Sequence, residues 1–253
     1  MINSGLVSIT FREKNPEEII AMVEKAGLSA IEWGGDVHVP HGNVAQAKKV
    51  GIMTRQAGLE VAAYGSYYRT GCKQGDIDCS FSEVLETASA LGAPVIRVWA
   101  GNKSSAEADK SWWEKVIKDT KRIATAAEKE EIKIVFEYHG GTLTDTNESA
   151  VKLLQRIDHP NVGTYWQPPN NKSRDYCLQG LENVLDLLEN VHVFYWEDHQ
   201  RLSLSEGEKD WKIYFAKMAA SNRDHYALLE FVKNDSEEQF FADASTLQRL
   251  IKN

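Results

Sequence analysis

Short apolar runs rich in β-branched residues alternate with amphipathic helical patterns along the whole 253-residue chain. No other feature restricts the fold as much, because parallel strands need a long crossover between them, usually a helix. The first run spans 6–11. Asn15-Pro16-Glu17-Glu18 then supplies a cap, a proline at the first helical position and acids in the first turn. Ile19, Ile20, Val23 and Ala26 form the apolar stripe of that helix, and Gly27 ends it. Further strands are expected at 30–33, 59–67, 95–99, 132–138, 162–166, 191–195 and 227–232. The intervening helices fall near 44–57, 80–91, 107–129, 145–157, 176–189, 210–220 and 236–251, the third opening on a Ser80/Glu83 capping box.

Eight strands and eight helices at about 32 residues per unit predict one closed (β/α)8 TIM barrel, class α/β, filling 1–253 as a single domain. The runs are apolar on both faces, as buried parallel strands require. A doubly wound open sheet is the alternative, but no GxGxxG follows the first run. The formal charge of −8 argues against nucleic acid and against an anionic membrane surface as partners. No stretch approaches about 18 consecutive apolar residues, and the first residues read as a strand rather than a signal peptide. Three sparse cysteines, Cys72, Cys79 and Cys177, fit reduced thiols and a cytoplasmic location. The acidic helices leave both a monomer and a homo-oligomer open.

In such a barrel the chemistry sits at the C-terminal ends of the strands. Polar residues that close a run therefore carry weight. Glu137 ends the fifth run, Gln167 the sixth and Glu230 interrupts the eighth, while His192 lies in the seventh. Singly, each has an ordinary structural explanation: a hydrogen-bonded strand-end carboxylate, or a satisfied core histidine. Barrel closure, however, brings four consecutive strands together despite sequence spacings of 30, 25 and 38. Oxygen donors with one imidazole suit Mn²⁺, Mg²⁺, Co²⁺ or Zn²⁺.

The chain resembles the xylose isomerase-like TIM-barrel superfamily, in its sugar isomerase/epimerase branch. The resemblance rests on the segments at 8–12 (SITFR), 27–33 (GLSAIEW) and 91–97 (LGAPVIR), on Glu137-Tyr-His139 with the TLTDT at 142–146, and on 191–193 (VHV) and Leu229-Glu230. It implies one divalent metal held by Glu137, Gln167, His192 and Glu230. Gln167 stands where the family carries an aspartate, so one negative charge is lost and the metal is held more weakly. It also implies that Glu137 and Glu230 move protons through an enediolate beside a sugar carbonyl, with His192 a ligand only. The expected substrate is a small sugar or polyol. A keto-inositol or keto-acid dehydratase would need the same centre, and a non-catalytic sugar-binding protein is the third reading. The three-zinc nuclease branch fits poorly, because its extra histidines are missing here.

Aromatic and polar residues at strand ends are the expected substrate contacts, since flat apolar faces with polar rims suit sugars. They are Trp33, Tyr64, Trp99, Trp166 and Trp196, with Tyr67 and Tyr138 similarly placed, together with Asp36 and His38 in a glycine-containing loop, His139 and Arg97. Arg97 has a structural alternative, an ion pair with Glu32.

Overall fold

The computed structural model describes residues 1–73 and 79–252. Its strands are β1 (Ile2–Val7), β2 (Ala30–Gly34), β3 (Glu60–Arg69), β4 (Val95–Trp99), β5 (Lys133–Phe136), β6 (Val162–Trp166), β7 (Leu188–Val193), β8 (Tyr195–Glu197), β9 (Gln200–Leu202) and β10 (His225–Leu229). Eight of them close a parallel barrel in the order β1-β10-β7-β6-β5-β4-β3-β2, and β8 pairs β9 as a separate antiparallel hairpin. The helices are α1 (Pro16–Lys25), α2 (Val44–Gln56), α3 (Phe81–Leu91), α4 (Lys110–Glu128), α5 (Asn147–Ile157), α6 (Arg174–Val184), α7 (Glu208–Ala219) and α8 (Glu237–Ile251). The (β/α)8 expectation holds. Among the described residues no helix is long and apolar enough to cross a membrane.

Local chemistry places these elements. Asn15 and Glu18 form a reciprocal capping box at the start of α1, and Ser80 and Glu83 form one at α3, each satisfying helix-end N–H groups that water would otherwise have to reach. Gly92 ends α3 in the left-handed conformation. Gly5 in β1 allows the closest strand approach: a Cβ there would lie 2.6 Å from the Ala30 carbonyl oxygen and from Leu228.

Three differences from the expected boundaries bear on the site and its strands. The first strand is Ile2–Val7, and Ser8–Phe11 form a 3-10 turn. The polar and small residues Asn3, Ser4 and Gly5 hide a strand whose pairing partners are His225–Leu229 and Ala30–Glu32. Helix α6 stops at Val184, so β7 begins three residues earlier than expected. Strand β10 ends at Leu229, which puts Glu230 just past the strand rather than within it. Phe231 beyond it has φ 54°, a costly conformation for a bulky side chain. The hairpin was not expected: its turn residues Asp198 and His199 take φ 46° and 63°, the primed-turn geometry that glycine usually marks.

Two apolar layers follow from the strand period of two. One fills the barrel, with Val7, Ala30, Ala62, Ala63, Val95, Val135, Tyr165 and Leu228. The other lies between barrel and helices and includes Ile31, Trp33, Tyr64, Ile96 and Trp166. In β2 the side chain of Glu32 reaches Arg97 and His192 inside the barrel, so its neighbour Trp33 must face α2. There the Trp33 indole N–H donates to Thr54 Oγ1 at 3.2 Å. Trp33→Phe is accordingly expected to cost about 1 kcal/mol of stability through the lost hydrogen bond and to leave ligand and metal binding unchanged. Denaturant unfolding with parallel calorimetry checks both.

Candidate functional site

Four strand ends converge at the C-terminal mouth. Glu137 follows β5, Gln167 follows β6, His192 lies in β7 and Glu230 follows β10. His192 is wholly inaccessible to solvent, and Glu137 and Glu230 retain 4% and 6% exposure. His192 Nδ1 lies 3.0 Å from Gln167 Oε1, 3.5 Å from Glu230 Oε2 and 3.7 Å from Glu137 Oε1. Ligand atoms of Glu137, His192 and Glu230 all fall within 4.8 Å of one another. Donors sharing one small divalent ion at about 2.1 Å sit roughly 3.0–3.4 Å apart at octahedral or tetrahedral angles. The three contacts of Nδ1 are close to that spacing.

The surroundings fix these groups. Arg97 is buried between two carboxylates. Its Nε donates to Glu32 Oε1 at 2.7 Å, and its Nη1 donates to Glu137 Oε2. Trp99 Nε1 also donates to Glu137 Oε2, at 2.5 Å, so only Oε1 of Glu137 is left facing His192. Glu32 Oε2 lies 3.3 Å from His192 Nε2. A carboxylate on the far nitrogen is the usual way a protein orients a ligating imidazole. Below the site, the Tyr165 ring meets His192 edge-on at 5.2 Å, and its hydroxyl accepts from Asn190 Nδ2 at 2.7 Å. Gly65 makes room for this network, since a Cβ there would lie 2.8 Å from both Arg97 and Glu32.

Burial alone would raise every carboxylate here. For Glu32 the Arg97 and His192 charges outweigh it and hold the carboxyl down at about 2. Glu137 is likewise held below its ordinary value by Arg97 and His192 against its burial. Glu230 lacks a direct arginine, and burial with its carboxylate neighbours lifts it to about 7. His192 is penalised by burial but raised to about 9 by Glu230, Glu32 and Glu137. With His192 protonated and Glu230 neutral, the five groups Glu32, Glu137, Glu230, Arg97 and His192 sum to zero. With both deprotonated they sum to −2, the charge that a divalent cation cancels. The donor set thus fits one divalent cation in both spacing and charge.

The remaining sequence-expected residues divide. Trp99 and His139 reach the mouth, stacked at 4.4 Å between ring centroids. Arg97 is an internal counter-ion whose Nε and Nη1 are committed to carboxylates, the Glu32 pairing among them. Trp33, Tyr64 and Trp166 lie in the layer under the helices, away from the mouth. Each sits next to or opposite an inward-facing residue in the strand alternation: Trp33 beside Glu32, Tyr64 beside Gly65, Trp166 beside Gln167. The Tyr64 hydroxyl donates to the Val39 carbonyl at 2.9 Å. Both ring nitrogens of His38 are engaged, by Ser8 Oγ and the Lys14 carbonyl, so it ties the loop down. Asp36 is paired with Arg12 at 2.5 Å. Trp196 sits on the hairpin against Phe194 and Phe231.

Sequence reasoning missed the roles of two residues at the mouth. Glu32 was placed only as a partner of Arg97, not of His192. Arg69, inward-facing with Gly65 at the end of β3, was not singled out; Tyr67 beside it, expected as a strand-end aromatic, accepts from Arg12 at 3.0 Å and meets Trp99 edge-on at 5.3 Å. A 250 Å³ cavity adjoins the centre, lined by His139, Gln167, Asn170, Lys172 and Phe194 among others.

A family model described as xylose isomerase-like TIM barrel matches residues 20–250. Over 67 residues the chain is 33% identical to a 3-dehydroshikimate dehydratase of Bacillus anthracis; the match covers 26% of this chain and spans only 24% of that relative's length. Solved structures share the fold along nearly their whole length. The probable 3-DHS dehydratase AsbF of Bacillus anthracis superposes with a TM-score of 0.77 at 18% identity, covering 98% of this chain and 99% of that one. An IOLI protein with a bound zinc atom gives 0.77 at 13%, covering 99% and 98%. D-psicose 3-epimerase of Clostridium cellulolyticum H10 gives 0.73 at 13%, covering 98% of each.

Proposed function

Because this chain belongs to the xylose isomerase-like TIM barrel family, we propose that it is a divalent-metal-dependent isomerase or epimerase, acting on a hydroxylated carbonyl compound of the sugar or polyol class through an enediolate. The observation that supports this most is the convergence of Glu137, Gln167, His192 and Glu230 at donor spacing on four successive strand ends. These four would hold the cation, here Mn²⁺, Mg²⁺, Co²⁺ or Zn²⁺, whose contribution when bound is Lewis acidity toward a carbonyl and its neighbouring hydroxyl. Glu230 is the better proton carrier, since its burial poises it near neutral pH. Glu137 is held anionic by Arg97 and Trp99 and supplies a fixed carboxylate facing the same His192 nitrogen as Glu230.

Calorimetric titration with Mn²⁺ tests the centre. Ligation requires deprotonated donors. His192 and Glu230 both carry folded-state values above their ordinary ones, so protons compete with the cation as pH falls. The apparent affinity is expected to drop about tenfold or more per unit between pH 8 and pH 6, with proton release on binding that grows toward the acidic end. A pH-independent affinity, or no binding at pH 8, would sink the metal assignment.

The stretch of identity to a 3-dehydroshikimate dehydratase favours a second reading, a dehydratase that expels water from a β-hydroxy carbonyl compound using the same enolate stabilisation. Following water loss and carbonyl-adjacent hydrogen exchange in parallel, over a panel of ketoses and keto-acids, separates the two. Retained sugar binding without metal binding would instead indicate a non-catalytic binding protein.

A further inference from the structure

Arg69 is the last residue of β3 and pairs in register with Trp99 of β4. Gly65, two pairs of residues earlier on the same strand, faces Arg97 and Glu32 inside the barrel, so strand alternation brings Tyr67 and then Arg69 onto the inner rim. The Arg69 guanidinium carbon stands 4.0 Å from the Trp99 ring centre, and the same indole is stacked with His139. Three flat groups therefore line the mouth across β3, β4 and the end of β5, directly above Glu137, to which Trp99 donates.

The arginines around this mouth have different partners. Arg97 is locked between two carboxylates and Arg12 is paired with Asp36. Arg69 has one protein acceptor among the described residues, the Gly101 carbonyl at 3.3 Å from Nη1, and no carboxylate among them. Its Nε and Nη2 hold no protein acceptor there. Burial lowers its pKa, only partly offset by the more distant charge of Glu137, so the fold carries a desolvation cost that an incoming anion would offset. A guanidinium backed by an indole, with an N–H edge that meets no acceptor among the described residues, is suited to a planar carboxylate, which it can grip with two parallel hydrogen bonds.

We propose that Arg69 is a substrate-carboxylate site: the substrate is a hydroxylated carbonyl compound that carries a carboxylate at the end remote from the reacting carbon. This rests on the reading of the barrel mouth as the substrate site and narrows the substrate class from neutral sugars to sugar acids and related hydroxy-keto acids. The carbonyl end then lies over Glu137 and Glu230, and the acid end lies about an indole's width away, beyond Trp99.

The test uses matched pairs of probes that differ only in one terminal group: D-fructuronate against D-fructose, and D-gluconate against D-glucitol. Dissociation constants are measured by calorimetry on the full chain, with and without Mn²⁺. In at least one pair the acid is expected to bind about tenfold or more tightly than its neutral partner, the scale of a charge-assisted bidentate contact. Arg69→Gln should collapse that ratio to near unity while leaving the neutral probe unaffected, and Arg69→Lys should retain part of it. No acid preference in any pair, whether both probes bind or neither does, overturns the proposal. So does an Arg69→Gln variant that weakens acid and neutral probes equally, because Arg69 would then merely support Trp99. The wider reading fails separately, through Mn²⁺ binding and the turnover of Glu230→Gln. A lost acid preference with an intact metal centre refutes only the carboxylate site.

Discussion

Glu230→Gln is expected to lower turnover at least about a hundredfold, the ordinary contribution of a positioned acid or base, while the barrel stays folded. Glutamine matches glutamate in volume and keeps a carbonyl oxygen near His192, so packing at this 6%-exposed position changes little. What disappears is the ionisable carboxyl that the site lifts to about 7. Glu137→Gln is expected to act as strongly for a different reason. It removes the anion that Arg97 and Trp99 fix in place, and the amide that replaces it has one acceptor oxygen where the carboxylate has two. Steady-state rates on whichever ketose or keto-acid is turned over, with circular dichroism to confirm folding, give the measurement. Near-normal rates in either variant would remove that residue from the reaction.

The second large effect concerns stability. Arg97→Met should cost about 3–5 kcal/mol, the range seen when one partner of a buried ion pair is deleted. Arg97 answers two inaccessible or nearly inaccessible carboxylates, Glu32 and Glu137, and methionine fills part of its volume while answering neither. The pH dependence gives a second check. Glu32 is depressed to about 2 in the folded chain, so its favourable contribution is present above the unfolded carboxylate value and is lost as pH falls through that window. In Arg97→Met the depression is gone, and the unpaired carboxyls become least costly when protonated. The stability gap between variant and wild type should therefore narrow from pH 7 toward pH 4. Urea unfolding at the two pH values measures it; a gap under about 1 kcal/mol at pH 7, or one that widens in acid, contradicts the role given to Arg97.

Much of the barrel could be read from the chain because strand and helix periods differ and each unit repeats both. Three of the four candidate donors were legible for a related reason. A charged or amide group closing an apolar run is expensive unless it has company, and Glu137, Gln167 and Glu230 all show that signature. Glu32 shows it as well, inside Ala30-Ile-Glu-Trp33, but its contact with His192 spans 160 positions, and only barrel closure reveals it. The aromatic expectations fared worse, and strand alternation accounts for it. If Glu32 points inward its neighbour Trp33 points outward, and Gln167 displaces Trp166 in the same way. Bulk at a strand end does not say which face it is on; the polar neighbour does. The hairpin at 195–202 escaped notice because Asp198 and His199 adopt left-handed backbone without a glycine to advertise it.

Tyr165 closes the barrel beneath His192, over a plug of alanine, valine and leucine. The site is thus closed from below. On the proposed reaction, a proton taken from a substrate carbon would have no drain through that floor and would have to leave on the side that the substrate covers. A deuterium label is then expected to survive turnover in part.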